Sequence, residues 1–82
     1  MGLTAAAQLR AARAMARLEQ RELADLAGIA VATVQRLEGM EGALRANRST
    51  LRLLQQALES RGVEFLPGGG LRPREQPAGA VS

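Results

Sequence analysis

Apolar residues recur every three or four positions through four stretches of the chain, and they alternate with polar ones only near its end. This pattern predicts four helices followed by a short strand or hairpin. The first helix spans residues 5 to 16, with Thr4 as its N-cap. Seven of these twelve residues are alanine, the strongest helix former. Leu9, Ala12 and Ala16 form its inward stripe, Leu18 follows as a core residue, and Arg10 and Arg17 are expected in solvent or near phosphate. Residues 1–3 are expected to be loose.

The second helix runs from about Gln20 to Ala27, capped weakly by Glu19, with Leu23, Ala24 and Ala27 on one face. Gly28 stands where that helix must stop, in a left-handed conformation that glycine adopts without penalty. A third helix, Val31 to Glu38, buries Val34 and Leu37. Its N-cap position holds Ala30, which has no side-chain acceptor, an omission worth about 1 kcal/mol. A glycine-containing loop over residues 39–48 leads to a fourth helix from Thr50 to about Ser60, capped by Asn47 or Ser49 and ended by Arg61-Gly62. Leu51, Leu54 and Leu58 form its stripe, with Leu53 and Ala57 beside it.

Val63-Glu64-Phe65-Leu66 reads as a short strand, Pro67 to Gly70 as a turn, and Leu71-Arg72 as a return strand. A lone hairpin is marginal in water. It needs the helices beneath it or a strand from a second copy beside it, which makes 63–72 a candidate dimerisation element. Residues 73–82 lack periodicity and are expected to be disordered. The fold class is therefore all-α: a compact four-helix bundle over residues 4–62 with a C-terminal strand or hairpin.

Two short helices joined by a tight turn at glycine, crossing steeply, make a helix-turn-helix. The stretch Gln20, Glu22-Leu23-Ala24, Ala27-Gly28-Ile29, Thr33-Val34 and Leu37-Glu38 resembles the corresponding motif of the phage-repressor (Cro/CI-like, XRE) family of bacterial transcription regulators. With its flanking helices the resemblance covers roughly residues 4–60. Where that family commonly has Ser or Thr, this chain has Ala30. The resemblance implies an ion pair between Arg13 and Glu38, tying the first helix to the third; the plain alternative is two unrelated surface charges.

Composition narrows the function. A chain of 82 residues with one aromatic, Phe65, must build an aliphatic core. Without cysteine or histidine it has no disulfide, no zinc site of the usual type and no thiolate or imidazole catalyst. No inward carboxylate cluster stands in for them, and the Gly68–Gly70 run opens no helix, so neither an enzyme nor a cofactor is expected. No membrane span or signal segment is visible, and a cytoplasmic, nucleoid-associated protein is the default.

The formal charge is +3, and every basic residue is arginine. Between Gly42 and Leu58 lie Arg45, Arg48 and Arg52 with no acid, which suits a phosphate backbone, or else a solvated loop.

A major groove accepts an α-helix, so the face opposite Val34 and Leu37 is the candidate for base readout. It comprises Val31, Ala32, Gln35 and Arg36. Arg36 can bridge guanine O6 and N7, Gln35 can pair with adenine, and Val31 and Ala32 can touch a thymine methyl. The alternative is an ordinary polar helix face. Phosphate contacts are expected from Gln20, Arg21 and Thr33, then from Arg45, Asn47 and Arg48.

These expectations describe a sequence-specific DNA-binding transcription regulator, acting on double-stranded DNA as a homodimer. The other reading is an antitoxin-like or adaptor module whose main target is a protein partner.

Overall fold

The structure, a computed structural model, describes residues 2–74. It contains four helices, α1 (Ala6–Met15), α2 (Gln20–Ala27), α3 (Val31–Glu38) and α4 (Arg48–Ser60). A two-stranded antiparallel hairpin follows, β1 (Val63–Phe65) and β2 (Leu71–Pro73), linked by a 3-10 turn over Pro67–Gly69. The expected tail lies mostly outside the described residues. Its first residue, Pro73, instead closes the hairpin, and the Arg74 amide donates to the Gly62 carbonyl.

The core is aliphatic. Leu9, Leu23, Val34, Leu37, Leu54, Leu58 and Val63 are fully buried, so each helix and the hairpin contribute at least one side chain. Burying a side chain of this size stabilises by roughly 1.5–3 kcal/mol, which is how helices of eight residues, too short to persist alone, hold together here. Leu51 is half-buried on α4 and Leu53 is exposed, so that helix packs through Leu54, Ala57 and Leu58.

Gly28 ends α2 with φ of 74°, in the left-handed region, and its amide bonds back to the Asp25 carbonyl at 3.3 Å. α1 ends one residue earlier than its alanine run. Ala16 is its C-cap, and Arg17 then takes a left-handed φ of 59° with no glycine to ease it.

Of residues 1–3, Met1 lies outside the described residues, and Gly2 and Leu3 are buried and not loose. Leu3 is buried against the core, and residues 4–6 bond to the segment after α3: the Leu44 amide donates to the Thr4 carbonyl at 2.8 Å and the Ala6 amide to the Gly42 carbonyl at 3.0 Å. Gln8, buried in α1, organises this corner. Its Oε1 accepts the Thr4 and Ala5 amides at 2.7 and 3.1 Å, and its Nε2 donates to the Gly2 carbonyl at 2.9 Å. Gln8 therefore takes the capping role expected of Thr4, and Ala5 is the N-cap. Among the described residues no helix is long and apolar enough to cross a membrane.

Candidate nucleic-acid interface

α3 has two faces of opposite character. Val34, Leu37 and Glu38 are buried, whereas Ala32, Gln35 and Arg36 are exposed. Neither Gln35 nor Arg36 makes a side-chain hydrogen bond or ion pair among the described residues. Val31, the fourth position expected on the outward face, is half-buried and packs against the core, leaving only part of its side chain accessible. Ala30 caps the helix without a side-chain acceptor, as its chemistry requires.

The buried end of α3 is held at Glu38. Arg13 Nε donates to Glu38 Oε2 at 2.6 Å and Arg13 Nη2 to Oε1 at 3.1 Å, the two-point geometry that suits a guanidinium and a carboxylate. Arg13 Nη1 also donates to the Leu18 carbonyl at 2.9 Å, fixing the guanidinium on three acceptors. The hydrogen bond to Glu38 holds the Arg13 guanidinium above its already high usual range, partial burial opposes that shift, and the carboxylate's charge adds to it. The ion pair inferred from resemblance is present, with only 6% of the Glu38 side chain exposed.

Two further side chains meet the same residue. Gln20 Nε2 donates to Glu38 Oε1 at 3.0 Å, so the residue expected at phosphate already gives one amide hydrogen to the clamp. Arg10, exposed as expected, also reaches across with Nη1 to donate to the Glu38 backbone carbonyl at 2.6 Å, capping the last turn of α3. A cation there also matches the helix dipole. Sequence reasoning gave Arg10 no such role; its spacing of three from Arg13, placing both on adjoining parts of one helix face, was the available signal.

The other phosphate candidates divide by their surroundings. Arg21 on α2 and Arg45 before α4 are exposed; Thr33 is half-buried. Asn47 is the N-cap of α4, its Oδ1 accepting the Thr50 amide at 2.8 Å and Ser49 Oγ at 2.9 Å, which leaves its amide hydrogens available. Arg48 opens α4 and is exposed. Comparison with protein-family models and with curated proteins finds no match.

Proposed function

We propose that the chain is a sequence-specific DNA-binding transcription regulator of the helix-turn-helix type, reading the major groove with α3. The observation that carries this reading is the division of α3: its inner face is locked by Val34, Leu37 and a three-donor clamp on Glu38, while Gln35 and Arg36 stand exposed and unengaged. A fixed rod with free bidentate donors and acceptors is what base-edge recognition needs. Arg21, Arg45 and Arg48, exposed around it, supply phosphate contacts that set register without reading sequence.

A domain of this size covers a few base pairs, so the working form is a homodimer on a pseudo-palindrome with half-sites about 34 Å apart. The hairpin is the element we assign to the dimer contact. Because Val63 lies in the core, removing the hairpin would damage the fold, and the contact is best tested on the full chain by sedimentation across a dilution series.

Selection of bound duplexes from a random DNA library at stated salt tests the function itself. The expected result is an enriched, two-fold-symmetric motif. Binding without any enriched sequence would contradict it.

A further inference from the structure

A ridge of two arginines on α4 separates two concavities. Arg48 and Arg52 lie one turn apart, at the i, i+4 spacing where like charges repel, and neither has an ion-pair partner among the described residues. On one side is an open groove of about 700 Å³ between α4 and the N-terminal segment, with Leu3 and Leu51 among its lining and Gln56 exposed at its wall. On the other is a hollow of about 370 Å³ flanked by Leu53, which is 41% exposed. Among the described residues the one acid lining the larger groove, Glu59, is engaged by Gln55 Nε2 at 3.1 Å.

We propose that this ridge and its two flanks bind an acidic segment of a partner protein, with carboxylates on Arg48 and Arg52 and aliphatic side chains against Leu51 and Leu53. The chemistry selects that occupant over others. A second copy docked by the same face would set the arginines of both copies against each other, because a two-fold contact repeats one patch on both sides. A phosphate backbone could use the guanidiniums but not the leucines that flank them, since it has no aliphatic groups to bury. An alternating acidic and aliphatic segment uses both. Arg48 lies at one end of the ridge, where it is shared with the phosphate contact proposed above; Arg52 is not, and the inference does not rest on the DNA reading.

The test is selection of displayed random octapeptides on the full chain, followed by binding titrations of the enriched peptides to variants. Enriched sequences should interleave Asp or Glu with Leu, Ile or Met. Their affinity should fall about tenfold or more in Arg52→Glu, hold in Arg52→Lys and stay unchanged in Arg36→Ala, with circular dichroism showing that Arg52→Glu keeps its helices. Enrichment without acids, or equal binding by Arg52→Glu, would overturn the proposal. So would a random-sequence duplex that loses as much affinity as the peptides do in Arg52→Glu, which would assign the ridge to DNA.

Discussion

Among the described residues are two arginine–glutamate pairs of nearly the same local geometry in opposite surroundings. Arg13 and Glu38 join α1 to α3, with side chains 25% and 6% exposed. Arg72 and Glu64 face each other across the hairpin at 2.9 Å, with side chains 62% and 35% exposed. Water does for the second pair what protein must do for the first. The hairpin pair can separate with each charge still solvated, so its contribution is small. The clamp cannot, because removing Arg13 leaves a buried carboxylate with Gln20 as its one remaining side-chain donor. The same contact is therefore a surface detail in one place and a constraint on the orientation of α3 in the other.

The largest break in this comparison is Arg13→Met. It should destabilise by about 3 kcal/mol, near the lower end for orphaning one partner of a buried pair, read as a lower urea midpoint at neutral pH. The double variant Arg13→Met with Glu38→Leu should recover much of that loss, because no charge is then stranded. If the double variant is as unstable as the single, the cost comes from packing and not from charge.

A smaller effect is expected at Gln20, where Gln20→Ala removes one hydrogen bond to a carboxylate that Arg13 still satisfies. About 1 kcal/mol is the expected loss, and a thermal melt would register it. The residual donor pair is what keeps it modest.

Much of this arrangement was legible in the sequence, and the parts that were not have identifiable causes. The bounds of α2 and α3, the left-handed Gly28 and the inward faces follow from local spacing, since each is decided within a turn or two of helix. Non-local contacts left weaker traces. Nothing near Leu3 announces that it pairs with no strand yet lies under α4, nor that Gln8 would cap α1 from inside the helix. Arg17 ends α1 in a conformation that sequence reserves for glycine. Leu53 sits one position from the true stripe of α4, and helical spacing alone does not distinguish a flank from a face. At the candidate site, residue types pointed to Gln35 and Arg36 correctly as outward, but Gln20, half-buried, and Arg10, still exposed, each give a donor to an acceptor on a different helix, which local spacing does not reveal.

The smallest effect is expected at the hairpin. Arg72→Gln should leave the unfolding midpoint unchanged within error. The hydrogen bond from Arg72 holds the Glu64 carboxyl below its ordinary range, with the charges of Arg72 and then Arg74 adding to it. Lowering the pKa on folding means that the pair's contribution is present above the unfolded carboxylate range and fades as pH falls through the folded one. Chemical shifts of the Glu64 side chain should therefore titrate at lower pH than in Arg72→Gln. Coincident titrations would show that the pair is absent in solution.

Under the proposed function the clamp matters because it fixes which face of α3 looks outward, and that is the central claim. It is tested most directly by titrating Arg36→Ala and Arg48→Ala against the selected site and a random duplex over a salt series. Arg36→Ala should weaken the selected site by roughly 1–3 kcal/mol and relax one base position while leaving random DNA unaffected, whereas Arg48→Ala should weaken both alike and flatten the salt slope by about one. Equal losses on both duplexes for Arg36→Ala would contradict the account.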